Sequence, residues 1–169
     1  MQHPETPVTA IAAIDHPELE QLKALLTGEE AATLAFQSVV AALLPMLVRV
    51  WQREQQAREA SLSLAQRETL QEMADSLGAV LQMLRGALNE RGQQVLRYKR
   101  SVEAGPPERS WWFALTEALE AVEDALQRIP TLVRAQPPGS LARRLGALLL
   151  RLLRRHQQHL LHEAREWIE

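Results

Sequence analysis

Between Leu70 and Val102, steps of four and three residues land on Leu70, Ala74, Leu77, Leu81, Leu84, Leu88, Arg91, Val95, Tyr98 and Val102. Only Arg91 interrupts this apolar series, and no proline falls within it. Such a stripe, spaced for one side of a helix, must be covered by the chain's own helices or by a second copy. The spacing predicts one long central helix over about 62–104, with Leu70, Leu77, Leu81, Leu84, Leu88, Val95 and Tyr98 as a homodimer seam. Met73, Val80 and Ala87 widen the stripe to about three positions in seven, the pattern of a helix that also packs in a bundle. Arg91 lies within the seam, where burial between two copies is costly unless Glu90 or Glu103 reaches it.

The rest of the chain offers little from which to build strands. Phe, Trp and Tyr together make up 4% of the 169 residues, and Leu and Ala dominate the 46% that is apolar. Val, Ile and Thr rarely alternate with polar residues. The expected fold is therefore all-α: a helical bundle built around one long heptad-patterned helix, and dimeric through it. Its length suits a single domain over 15–169, preceded by a flexible N-terminal arm at 1–14.

The boundaries follow from local signals. Asp15-His16-Pro17-Glu18 reads as a helix start, and Thr27 with Glu30 as a second capping pattern. The next helix is expected from about Glu29 into the fifties, with a kink or break at Pro45. Within it, Ala31 to Val48 carries no charge and approaches the length needed to span a bilayer. Thr33, Gln37, Ser38 and Pro45 favour burial inside protein instead. Gly105-Pro106-Pro107 should end the central helix. Bundle helices follow at about 107–129, before Pro130, and at about 140–168, with Ser140 as the cap.

Two neighbouring stretches resemble the GrpE family of nucleotide-exchange partners of DnaK-type chaperones. Arg97-Tyr98-Lys99-Arg100 is similar to the basic run near the end of that family's dimerising helix. Leu115, Leu119, Glu120, Val122, Glu123, Ala125 and Leu126 match its following bundle-helix motif. The order of long heptad helix, short bundle helix and further helix also agrees. The resemblance implies a homodimeric, non-enzymatic co-chaperone without a cofactor, whose partner is a DnaK-type ATPase. Arg97 stands where the family has asparagine and Glu117 where it has proline. The chain also has no Phe-Asp-Pro sequence of the kind found in the family's β-domain, which weakens the expectation of exchange activity more than that of chaperone binding.

Other chemistry is sparse. With 19 basic against 21 acidic residues and a net charge of −2, the whole chain is not a polyanion binder by charge. The absence of Cys removes disulfides and thiolate chemistry, and together with an N-terminus unlike a secretory signal it favours a cytoplasmic location. Arg143, Arg144, Arg151, Arg154 and Arg155 line one side of the last helix. They suggest a face for nucleic acid, an anionic membrane surface or an acidic partner, or simply a solvated face balanced by Glu117, Glu120, Glu123 and Asp124. Arg151-x4-His156 and Arg154-x4-His159 have the spacing of HEPN-type ribonucleases, although one basic helix face produces such pairs readily. His156, His159 and His162 rotate around the helix and form no complete ligand set, so no metal and no enzymatic activity are expected.

Overall fold

The computed structural model describes residues 18–90, 92–94 and 110–168. The described residues form helices and turns with no strand, so the fold is all-α. We label the helices α1 (18–26), α2 (Leu34–Glu59), α3 (Leu64–Ala87), α4 (Trp111–Arg134) and α5 (Leu141–Ile168). A short 3-10 turn, Glu29–Ala32, joins α1 to α2.

α2 lies at the centre, packed along α3 on one side and α4 on the other, while α5 runs along α4. Cross-helix pairs set the directions. Gln37 reaches Ala87 at one end of α2 and Arg58 meets Gln71 at the other, so α2 and α3 form an antiparallel hairpin. Arg53 pairs with Glu117, and the loop after α4 returns beside Phe36, so α4 also runs against α2. Glu30 accepts from Leu141 N–H, and Glu54 meets His156, which makes α5 parallel to α2. α1 lies against α5 through Gln21–Arg151 and Glu18–Arg155.

This central position explains the uncharged composition of α2. Val40, Ala41, Leu43, Leu47 and Val50 are all fully buried, because two neighbouring helices demand two apolar faces. By length and composition α2 could cross a membrane, yet half of its most apolar window is buried inside this bundle. It runs through Pro45, which is exposed, without the break that was one of the two expectations there.

Several expected boundaries are corrected. Thr27 bonds back to the carbonyl of Ala24 and so closes α1 instead of capping the next helix. α2 begins after Thr33, whose hydroxyl accepts from Phe36 N–H at 3.3 Å. A turn at 60–63 separates α2 from α3. There Ser63 accepts from Gln66 N–H, and the Gln66 side chain accepts from Leu62 N–H. α4 does not stop before Pro130 but continues to Arg134. Ser140 caps α5 as expected, accepting from Arg143 N–H, after a turn in which Gly139 takes φ +75°.

The largest correction concerns the central helix. α3 ends at Ala87, Leu88 is extended with ψ 125°, and helix resumes only at Glu90. An uninterrupted helix over 62–104 is therefore not what the chain forms. The seam residues also have partners already: Leu70, Leu77 and Leu84 are fully buried, and Leu81 and Leu88 nearly so, all within one chain. A second copy could use this stripe only if the α2–α3 hairpin opened, because the same apolar surface cannot be buried twice. Val95 and Tyr98 of the expected seam, the basic run Arg97–Arg100, the end near 104, the arm at 1–14 and the cap at Asp15 lie outside the described residues.

Candidate functional site

The five candidate arginines of the last helix do not form one free basic face. Arg143 reaches back over the end of α4, donating from Nε to Gln136 O at 2.8 Å and from Nη2 to Arg134 O at 2.7 Å. A cation there satisfies carbonyls that the helix end leaves without amide partners. Arg144 faces Glu30 at 3.8 Å, Arg151 donates to Gln21 at 3.0 Å, and Arg155 pairs with Glu18. Arg154 is exposed. Four of the five candidates thus contribute to packing the helix against α1, the 3-10 turn or the end of α4. The Glu30 carboxylate also receives the Leu141 amide, so this chain supplies its own anion to the first turn of α5.

A layer of polar side chains crosses the bundle. Arg58 stands opposite Gln71, so stepping five residues along each antiparallel helix of the hairpin brings Ser76 of α3 level with Arg53 of α2. At this height Arg53 pairs with Glu117 of α4 at 2.7 Å. Glu54 meets His156 Nδ1 of α5 at 2.7 Å, and beside it Arg155 binds Glu18 of α1. All five helices contribute to this level. Glu54 and His156 are 0% and 1% exposed, and their contact joins α2 and α5 through the core. Glu54 Oε1, Ser76 Oγ and Trp111 Nε1 are buried without a hydrogen-bond partner among the described residues.

Neither ribonuclease-like spacing assembles a site around both of its members. Arg151 bonds Gln21 on the surface, while His156 points into the core. Arg154 is exposed and His159 half-buried one helical face away. Among the described residues, no group of three His, Asp or Glu side chains could hold a metal ion. His162 and Glu166 face each other at 4.0 Å on the solvent side of α5.

The family-motif positions of α4 divide by their side of the helix. Leu115, Val122 and Ala125 are buried, Leu119 and Leu126 pack partly against the core, and Glu120 is exposed. Glu123 is half-buried.

One surface feature was absent from the sequence reading. Leu62, Leu64, Phe113, Trp167 and Ile168 are 47–74% exposed. The topology carries all five to the same end of the bundle, where α2 and α5 finish and α3 and α4 begin. Sequence could not reveal this gathering, since it depends on which helix ends coincide. The Glu54–His156 pair did leave a trace. Each residue interrupts an apolar series at helical spacing, Leu47-Val50-Glu54-Ala57 in α2 and Leu149-Leu152-His156-Leu160 in α5.

Fold and site together define a compact all-α bundle whose buried polar groups join its helices and whose large exposed apolar side chains, apart from Leu34 at the start of α2, lie toward one end. Comparison with family models, with curated proteins and with solved structures finds no match to this chain.

Proposed function

We propose that this protein is a non-enzymatic helical scaffold that binds a protein partner through the apolar end of its bundle. The observation that carries this reading is the collection of Leu62, Leu64, Phe113, Trp167 and Ile168 at one end. A lone exposed leucine is ordinary, whereas aromatic and aliphatic side chains grouped together are typical of contact surfaces. The inward use of Glu54, His156, Glu18 and Arg155 supports the same reading, because it leaves these groups to structure and not to chemistry. The test places a photo-crosslinking phenylalanine analogue at position 113 and, as a control, at exposed Gln127. A partner captured from 113 and not from 127, and lost on combining Trp167→Ser with Ile168→Ser in a folded protein, supports the proposal. Equal labelling from both positions, or none from either, sinks it.

A co-chaperone of a DnaK-type ATPase is the second reading. It is supported by the order of the two motif stretches and by α4, which keeps Leu115, Val122 and Ala125 inward while Glu120 faces solvent. Release of a fluorescent nucleotide from DnaK is the relevant measurement. A release rate unchanged by this protein, with no binding to DnaK, counts against it.

A further inference from the structure

α3 stops at Ala87 although neither proline nor glycine occupies positions 87–90. In a continuous helix the Ala87 carbonyl and the Asn89 amide would both find backbone partners along the same helix. Here both are bound by one side chain from another helix. Gln37 Nε2 donates to Ala87 O at 2.9 Å, and Gln37 Oε1 accepts from Asn89 N–H at 2.9 Å. Gln37 is fully buried, and its Nε2 also donates to Ala31 O at 2.7 Å, so its amide is held in place by the 3-10 turn. Asn89 then starts the next helical segment. Its Oδ1 accepts from Gly92 N–H at 3.0 Å, its carbonyl accepts from Gln93 N–H at 2.9 Å, and its Nδ2 donates to Ala32 O at 3.1 Å. A Cβ at Gly92 would overlap Gln37 Oε1 and come within 2.7 Å of Leu88 Cδ2, so the segment can approach this closely only with glycine there.

Tertiary contacts therefore fix the bend in a local sequence of divided preference, where Gly86 and Gly92 weaken a helix and Asn89 suits a cap. Arg85, Ala87, Leu88 and Glu90 are good helix formers, and the Leu81-Leu84-Leu88 spacing passes through the bend unaltered. The geometry points to a conformational latch: Gln37 holds the bend at Leu88–Asn89, and withdrawal of its amide lets α3 run straight through residues 88–94. The 3-10 turn Glu29–Ala32 belongs to the same latch, since its Ala31 and Ala32 carbonyls anchor Gln37 and Asn89. A ligand or contact that displaced this turn would release both anchors and bias the chain toward the straight form. This latch stands independently of the partner-binding reading.

The chain has no Cys, so spin labels at Asp75→Cys and Gln94→Cys are unique, and double electron–electron resonance reads their separation. A straight helix places these two Cα atoms about 28 Å apart, at about 1.5 Å per residue, and the parent, interrupted at Leu88–Asn89, supplies the reference separation. Gln37→Leu and Gln37→Met each remove the latch amide, and Gly86→Ala serves as a control on open surface. The latch variants should gain a population of at least roughly a tenth of the ensemble at the straight-helix separation, with a matching rise in far-UV helicity. The control should keep the distribution of the parent. If Gln37→Leu fails to fold, Gln37→Met, which keeps the side chain's length, decides. A folded protein lacking the Gln37 amide but keeping the parent's distances overturns the proposal.

Discussion

Glu54 and His156, 102 positions apart in the chain, meet at 2.7 Å in the interior, and neither presents more than 1% of its side-chain surface to solvent. The contact ties α2 to α5, two helices whose backbones otherwise approach each other little. Truncating one member leaves the other's polar group desolvated, at a cost of about 3–5 kcal/mol. His156→Ala should therefore lower urea-unfolding stability by about that amount. Combining Glu54→Leu with His156→Leu should recover most of the loss, because replacing both polar partners by apolar groups removes the desolvated remainder. A double variant as unstable as the sum of its singles would contradict this account.

Leu77 belongs to the heptad stripe and is fully buried against its own chain. Leu77→Ala should cost about 2–5 kcal/mol through the lost transfer energy and the cavity left behind. The decrease in Tm should be the same at micromolar and at hundred-micromolar protein. A loss that shrinks as concentration rises would instead show the stripe shared between copies.

The arginines of α5 should separate by contact and not by charge. Arg143→Ala removes two hydrogen bonds to the end of α4 and should cost about 1–2 kcal/mol in thermal unfolding. Arg154→Ala, on the exposed side, should change stability by no more than about 0.5 kcal/mol. Equal effects of the two would mean that Arg143 does not cap α4 in solution.

Two helical glycines give opposite expectations. A Cβ at Gly86 meets nothing within 4 Å, so Gly86→Ala should stabilise α3 by up to about 1 kcal/mol from helix propensity. A Cβ at buried Gly146 would lie 3.0 Å from Val133 Cγ2 and 3.1 Å from Val133 Cγ1, where α5 crosses the end of α4. Val133 is buried and cannot easily move, so Gly146→Ala should destabilise the fold by about 1–3 kcal/mol of overpacking less the propensity gain, read as a lower Tm. A higher Tm for Gly146→Ala would show that this crossing is loose.

Several elements were legible from local pattern. α5 follows its expected span, its leucines are inward and Ser140 caps it, because periodicity and capping act over a single turn of helix. Pro130 does not end its helix: the structure carries α4 past it to Arg134, with Arg143 capping the final carbonyls from the next helix. The bend at Leu88 was missed, although Asn89 three residues before Gly92 is a capping signal in its own right. What turns that weak signal into a helix end is Gln37, 52 positions away from Asn89.

The sequence by itself determined that this chain forms helices and which side of each is apolar, since both depend on spacing within a few turns. Only the tertiary structure decided what the Leu70–Leu88 stripe packs against, where its helix ends, and which arginines have partners. Apolar burial is non-directional, so a leucine stripe specifies that it will be covered and says nothing about what covers it. Here α2 covers it, and the order of the helices around α2 carries Leu62, Leu64, Phe113, Trp167 and Ile168 to one end.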